Sequence, residues 1–209
     1  MKTALLVVVA VTACSTATAH QVALPPPPPP PAQARADSGR PPYTAADVHF
    51  MAGMIGHHAQ AVLMAGWAPS HGASDAVRLL CERIVVSQRD EIVLMQRWLR
   101  ERHETVPDAD PRGVAMPGMD HPMLMPGMLT PEQLVQLDGA RGPEFDRLFL
   151  EFMIQHHQGA ITMVEQLIRA PGAAQDGPIF RFASDVSADQ TVEIDRMNRM
   201  LNALKGSPQ

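Results

Sequence analysis

Two adjacent histidines occur twice in this chain, in segments that repeat one another. The segments read DVHFMAGMIGHHAQAVLM over residues 47–64 and DRLFLEFMIQHHQGAITM over residues 146–163. Imidazole nitrogen binds copper or zinc, and thioether sulfur is a soft donor that favours Cu(I) or Ag(I). The repeat therefore predicts a metal site with approximate two-fold symmetry, whose ligands are Met54, His57, His58, Met64, Met153, His156, His157 and Met163.

A second cluster of soft donors lies between the repeats. Residues 116–128 read MPGMDHPMLMPGM, with proline and glycine placed so that no regular helix or strand can form. Thioethers on an exposed loop have no packing reason to cluster, so we predict a separate Cu(I) capture segment that is mobile until metal binds. Its ligands would be Met116, Met119, His121, Met123, Met125 and Met128. An apolar loop that merely lies on the helices is the alternative.

The spacing within each repeat indicates where the histidines point. Aspartate, phenylalanine, methionine, histidine, alanine and methionine follow one another at alternating intervals of three and four residues, which is the pattern of a helix seam. We therefore expect His57 and His156 to face the axis of a helical bundle and to approach each other.

The partner helices carry a repeated Gln-x-x-Glu-Ile-x-x-Met segment at residues 88–95 and 190–197. Metal-bound histidine usually donates its other ring N–H to a carboxylate or amide, so four side chains are predicted partners: Gln88, Glu91, Gln190 and Glu193. The alternative is a metal-free bundle in which the same side chains simply hydrogen-bond to one another.

Capping residues and proline positions predict four long helices and a short one. The long helices are expected from Thr44 to Trp67, Ser74 to about Glu104, Pro143 to Ala170 and Asp176 to Lys205, and Thr130 opens the short helix. Two duplicated hairpins joined by a long Met-rich crossover, residues 105–142, predict an all-α four-helix bundle domain over residues 44–206.

The N-terminal residues predict export. Residues 1–19 read as a signal peptide whose apolar region is too short to span a bilayer. Val11-Thr12-Ala13-Cys14 fits a lipobox, which predicts a lipidated Cys14 at a membrane surface, and Ala17-Thr18-Ala19 offers an alternative cleavage site. Residues 20–43 form a Pro-rich linker with seven consecutive prolines, which predicts a stiff spacer. The expected location is the cell envelope, either periplasmic or lipid-anchored.

Charge and cysteine content limit the partners and the disulfide bonds that this chain can have. The net charge is −5 and no basic run occurs, which argues against nucleic acid as a partner. The chain has 2 cysteines, and a lipidated Cys14 would leave Cys81 without an intramolecular partner. Cys81 is interpreted as a small buried apolar residue.

The paired histidines, the Gln-x-x-Glu-Ile-x-x-Met segments and the Met-rich approach to LTPEQLVQL resemble the bacterial family known as domain of unknown function 305. Its CopM-type members are copper-binding proteins. The resemblance covers residues 44–205 and implies a ferritin-like four-helix fold, export to the envelope, and binding of copper or silver by the eight repeated histidines and methionines.

Two departures from the family pattern fall beside the histidines. Gly56 and Gln155 stand where proline is common in the family, and Ala59-Gln60 replaces the Gln158-Gly159 order of the second half. We therefore expect the first-half site to be the weaker.

Three functions remain open at this stage. The leading hypothesis is an extracytoplasmic protein that buffers, sequesters or transfers Cu(I), with Ag(I) or Cu(II) as other possible ions and copper-handling envelope proteins as possible partners. A ferritin-like metal-dependent oxidase is less favoured, because such enzymes use Glu-x-x-His pairs on helices and the chain has none. The third is a metal-free envelope interaction module.

Overall fold

The computed structural model describes residues 42–113 and 123–206, which contain five helices and no β-strand. The helices are α1 Ala45–Gly66, α2 Asp75–Glu101, α3 Pro131–Gly139, α4 Pro143–Arg169 and α5 Gly177–Gly206. They pair as two hairpins, α1 with α2 and α4 with α5, and the hairpins meet mainly where α1 packs on α4. This confirms the all-α bundle of two hairpins. No helix within the described ranges has the length and apolar character needed to cross a membrane.

Local capping chemistry sets the starts of α1 and α3. The Thr44 hydroxyl accepts the Asp47 N–H, and the Asp47 carboxylate accepts the Thr44 N–H in return. Thr130 and Gln133 make the same reciprocal pair at α3, with proline in the first turn. Each box satisfies two backbone donors that the first helical turn leaves free, so both starts lie where the sequence places them.

Helix α2 ends at Glu101, three residues before the predicted position near Glu104. His103 has a left-handed φ of 55°, and the Glu104 N–H turns back to the Leu99 carbonyl, which closes the helix. Arg102 points inward, where its guanidinium pairs with buried Asp176 just before α5 and lies 4.2 Å from the centre of the Trp98 ring. A contact with the second hairpin therefore fixes where α2 stops.

Two buried aspartates join the hairpins in equivalent ways. Asp47, near the start of α1, accepts the Ala174 N–H from the loop between α4 and α5 at 2.8 Å. Asp146, near the start of α4, accepts the Ser74 N–H at the start of α2 at 3.2 Å. Because each helix start is bonded to the far loop of the other hairpin, α1 and α4 run antiparallel and their midpoints face each other.

The apolar core forms two clusters with a polar layer between them. One cluster contains Met54, Met95 and Met163, and the other contains the equivalent residues of the opposite halves, Met153, Met197 and Met64. Between the clusters every long helix contributes polar side chains at the same level. The members of this histidine layer are His57, His58, Gln88, Glu91, His156, His157, Gln190 and Glu193.

Candidate metal centre

His57 and His156 meet at the centre of the bundle, as the seam spacing predicts. Their ring centroids are 3.8 Å apart, and neither side chain is exposed to solvent. Within each pair the rings are arranged alike: His57 and His58 lie 6.3 Å apart, His156 and His157 lie 6.2 Å apart, and both interplanar angles are 54°. The sequence duplication is therefore reproduced as a near-symmetric set of four imidazoles.

The outer histidine of each pair is bonded to a glutamate. His58 Nε2 lies 2.5 Å from Glu91 Oε2, and His157 Nε2 lies 2.6 Å from Glu193 Oε2. A carboxylate accepts the Nε2–H and fixes the orientation of the ring, while Nδ1 has no hydrogen-bond partner. The glutamates are 18% and 23% exposed while the imidazoles are fully buried. Both carboxylates therefore lie between the buried imidazoles and solvent.

The glutamine partners are not bonded in this way. Gln88 and Gln190 are buried, at 2% and 3% exposure, and their Oε1 atoms have no hydrogen-bond partner. The glutamates thus make the predicted contacts with histidine, whereas the role of the two glutamines stays a prediction.

The inner histidines are held neutral. Burial, reinforced by the neighbouring His58, lowers the pKa of His57 from 6.5 to about 3. Burial and then the proximity of His57 lower the pKa of His156 well below 6.5. His57 Nε2–H donates to the Pro126 carbonyl at 3.0 Å, which leaves its Nδ1 lone pair free as well. A neutral imidazole is the form that binds a metal ion.

The layer contains five buried ring nitrogens without a hydrogen-bond partner, namely Nδ1 of all four histidines and Nε2 of His156. Each unpartnered buried polar atom costs about 1–3 kcal/mol, and coordination of an ion by the lone pairs among these nitrogens would offset that cost. Within the described ranges, no group of three or more His, Cys, Asp or Glu side chains is arranged to hold a metal ion. Imidazole nitrogen and thioether sulfur, the two donor types that the repeats supply, together suit a soft ion.

The methionines of the two repeats lie in the apolar clusters on either side of the histidines. Met54, Met64 and Met153 are fully buried, and Met163 is 5% exposed. Met54 and His58 are four residues apart on α1, as are Met153 and His157 on α4, so each pair shares one face of its helix. Each hairpin thus offers one sulfur and one nitrogen donor at equivalent places.

The expectation of an exposed Met-rich loop is wrong for two of its residues. Met125 and Met128 are each 5% exposed and belong to the cluster around Met54. Gly53 leaves space for Met125, because a Cβ on Gly53 would lie 3.0 Å from Met125 Sδ. Met123 is half-buried. Three further predicted ligands lie outside the described residues: Met116, Met119 and His121.

Gln60 and Gly159, which are equivalent positions of the repeat, both hold the crossover. Gln60 Oε1 accepts the Leu129 N–H at 2.6 Å, and its Nε2 donates to the Leu129 carbonyl at 3.1 Å. A Cβ on Gly159 would lie 2.0 Å from the Pro126 carbonyl oxygen, so only glycine allows this approach. The difference between glutamine at position 60 and glycine at position 159 therefore lets the crossover pack against both hairpins. A weaker first-half site stays a prediction.

Two contributors to the layer were missed from sequence. The Pro126 carbonyl bonded to His57 is a backbone group, which no residue pattern reveals. Asp189 lies one helical turn before Glu193, and burial followed by the charges of Glu91 and Glu193 raises its pKa. The carboxylates of α2 and α5 are thus close enough to interact. The i,i+4 spacing of Asp189 and Glu193 was the available signal.

Cys81 fits its interpretation as an apolar residue. The thiol is buried in the cluster around Met64. Burial, with a further contribution from the charge of Asp146, raises its pKa to about 12. A thiol so resistant to deprotonation is a poor nucleophile and a poor metal ligand.

Comparison with known proteins places these features in a family. The chain matches the sequence profile described as Domain of unknown function (DUF305) over residues 47–201. A comparison with curated proteins gave no match. A DUF305 protein from Streptomyces coelicolor is 26% identical, with a TM-score of 0.64 over 78% of this chain and 96% of its own. A DUF305 fragment from Deinococcus radiodurans is 28% identical, with a TM-score of 0.64 over 78% of this chain and 99% of its own.

Copper and silver complexes are known among similar structures. CopM in its Cu(I)-bound form is 25% identical to this chain, with a TM-score of 0.59 over 77% of this chain and 98% of CopM. CopM has also been solved in Cu(II)-bound and Ag-bound forms. Since the family profile spans most of the sequence, including both histidine pairs, this chain belongs to the DUF305 family.

Proposed function

We propose that this protein binds Cu(I) outside the cytoplasm through the histidine layer, and that it buffers, sequesters or transfers the ion without catalytic turnover. The observation that carries the proposal is the set of four buried imidazoles whose Nδ1 atoms all lack a partner. CopM, a similar structure, has been crystallised with Cu(I), Cu(II) and Ag, which supports copper or silver as the ion.

Each hairpin would supply an equivalent half of the centre. In one half, His58 Nδ1 and the Met54 thioether on the same face of α1 would bind the ion, and Glu91 would fix the ring. His157, Met153 and Glu193 would do the same from α4 and α5. His57 and His156, at 3.8 Å between rings, would either bridge the two halves or share one ion.

The carboxylates would also offset the charge of the ion. A cation bound at Nδ1 draws electron density through the ring, and an anionic acceptor at Nε2–H stabilises that polarisation. Because Glu91 and Glu193 remain partly exposed, this compensation does not require a fully buried carboxylate. The pairing therefore favours a metal-bound imidazole at small desolvation cost.

Location outside the cytoplasm is part of the same proposal. The Streptomyces coelicolor relative is named as a secreted protein. A signal peptide within residues 1–19, cleaved either before a lipidated Cys14 or after Ala19, and a linker over residues 20–43 would place the domain of residues 44–206 outside the cytoplasm. The lipid on Cys14 would hold it near a membrane surface. Mass spectrometry of the mature N-terminus would distinguish a lipidated Cys14 from cleavage after Ala19.

Anaerobic titration with Cu(I) against a coloured competing chelator tests the central claim. The untagged parent should bind Cu(I), and a His58→Ala/His157→Ala variant should lose it. Glu91→Gln/Glu193→Gln keeps an acceptor without the charge and should weaken binding about 10–100-fold. His103→Asn is the matched control, since His103 is an exposed imidazole at the end of α2 and asparagine tolerates its positive φ.

The identity of the bound metal and the losses in paired histidine variants separate copper binding from the other two functions and test the weaker first-half site. Tightly bound iron in place of copper would support a ferritin-like oxidase, and no bound metal would support an interaction module. A larger loss from His156→Ala/His157→Ala than from His57→Ala/His58→Ala would confirm the weaker first half, whereas equal losses would contradict it. Far-ultraviolet circular dichroism on every variant would show that the helices are retained.

A further inference from the structure

A small surface pocket lies beside the histidine layer and collects soft donors from three separate elements. It has a volume of about 120 Å³ and is lined by His49 of α1, Met163 of α4 and Met125 of the crossover, together with Phe50 and Gln166. The His49 side chain is exposed, whereas both methionines are 5% exposed. The imidazole therefore lies at the surface and the two thioethers lie behind it.

The thioethers of Met125 and Met163 both lie over Gly53, which has no side chain to separate them. A Cβ on Gly53 would lie 3.0 Å from Met125 Sδ and 3.4 Å from Met163 Cε, so both methionines lie over this glycine. The equivalent residue in the second repeat is Phe152, and the residue equivalent to His49 is Leu148. The pocket is thus absent from the repeated pattern and arises from residues that differ between the halves.

We propose that this pocket is a loading site, in which His49, Met125 and Met163 capture Cu(I) and pass it to the histidine layer. The inference rests on the proposed copper binding. Gly53 precedes His57 by one helical turn, a rise of about 6 Å. Pro126, next to Met125, is bonded to His57 through its carbonyl. Gly53, beneath the two methionines, and Met125 are therefore close to the buried His57, the first along α1 and the second along the crossover.

The transfer is a ligand exchange. Cu(I) keeps its oxidation state while its bonds to the His49 imidazole and the two thioethers break and bonds to the buried imidazole nitrogens form. The receiving atom is available in the structure, because His57 donates its Nε2–H to the Pro126 carbonyl and its Nδ1 has no hydrogen-bond partner. Thioethers bind soft ions and do not retain hard ones, so the pocket would admit Cu(I) or Ag(I) in preference to Mg²⁺ or Ca²⁺.

Ag(I), which has no accessible redox change under these conditions, is a suitable probe in protein with ¹³C-labelled methionine methyl groups. Substoichiometric Ag(I) should shift the methyl signals of Met125 and Met163 and the ring signals of His49. In stopped-flow mixing, His49→Ala and Met125→Leu should each slow loading about tenfold, the scale expected when a supporting ligand is lost. Leucine keeps the apolar volume of methionine, and His103→Asn should load at the parent rate.

The results separate this inference from the proposed function. A parent that binds no Ag(I) would overturn both. A parent that binds Ag(I), with His49→Ala and Met125→Leu loading as fast as the parent, would overturn only the loading site. A metal-dependent shift of the methionine methyls without any shift of the His49 ring would also overturn it. Thermal unfolding of both variants checks that their fold is retained.

Discussion

Gly159 of α4 lies against the backbone of the crossover, and its replacement by alanine tests how tightly the crossover packs over the histidine layer. The added Cβ would lie 2.0 Å from the Pro126 carbonyl oxygen, 2.4 Å from its carbon and 2.5 Å from Gly127 Cα. All three are backbone atoms, so no side-chain rotation relieves the overlap. The crossover would have to retreat by at least about 1 Å to reach ordinary contact distances.

Two opposing effects set the expected free energy of unfolding. Alanine in place of glycine inside a helix contributes about 1 kcal/mol of stability. Against this, a displaced Pro126 carbonyl leaves the buried His57 Nε2–H without an acceptor, at about 1–3 kcal/mol. The bonds that the Gln155 Nε2–H donates to the Gly127 carbonyl and that the Leu129 N–H donates to Gln60 Oε1 would weaken, at about 1 kcal/mol each. We expect a net destabilisation of about 2–4 kcal/mol.

Urea unfolding of the metal-free protein measures this difference. Gly66→Ala is the matched control, because Gly66 is also helical and a Cβ there would meet no atom within 4 Å. The control should be neutral or slightly more stable than the parent. The methyl signal of Met125 should also change in Gly159→Ala and stay unchanged in the control. Equal stability of the two variants would refute the tight docking of the crossover on α4.

Three further predictions follow from buried groups. The pKa of His57 is about 3 in the folded state, below its ordinary 6.5, and the pKa of His156 is lowered as well. Below pH 6.5 the unfolded chain therefore binds more protons than the folded protein. The unfolding free energy of the metal-free protein should therefore fall as pH drops from 6.5 towards 4, by about 1.4 kcal/mol per pH unit for each ring, and a flat urea-unfolding series would contradict this. Cys81, with a pKa of about 12, should react with a thiol reagent at pH 8 about a thousandfold more slowly in native than in unfolded protein, and comparable rates would show that the thiol is accessible. Asp176→Asn would leave the buried Arg102 guanidinium without its carboxylate and should cost about 3–5 kcal/mol in thermal or urea unfolding, while a loss below about 1 kcal/mol would show that the pair is dispensable.

Helix positions were predictable where they depend on neighbouring residues. The reciprocal bonds of Thr44 with Asp47 and of Thr130 with Gln133 involve residues three apart, so the sequence alone reveals both starts. The end of α2 was misplaced because it depends on Arg102 reaching Asp176, 74 residues further along the chain. No local pattern carries that information.

The histidine layer was predictable for a different reason. A three-four spacing fixes which residues share a helix face, and duplication requires both halves to use the same face, so His57 and His156 had to meet. The burial of Met125 could not be foreseen, because it depends on the space above Gly53, which lies 72 residues earlier in the chain.

A single crossover covering two equivalent hairpins cannot contact both alike, and the residues that differ between the repeats follow from this. Gln60 bonds to the crossover while its equivalent, Gly159, gives it room, and Gly53 accommodates Met125 where Phe152 fills the equivalent space. The histidines and glutamates, in contrast, are the same in both halves. Substitutions of the shared residues should therefore change how much metal is bound, whereas substitutions at the differing positions should change how fast it is bound. A Gly53→Ala variant that lost capacity at an unchanged loading rate would contradict this division.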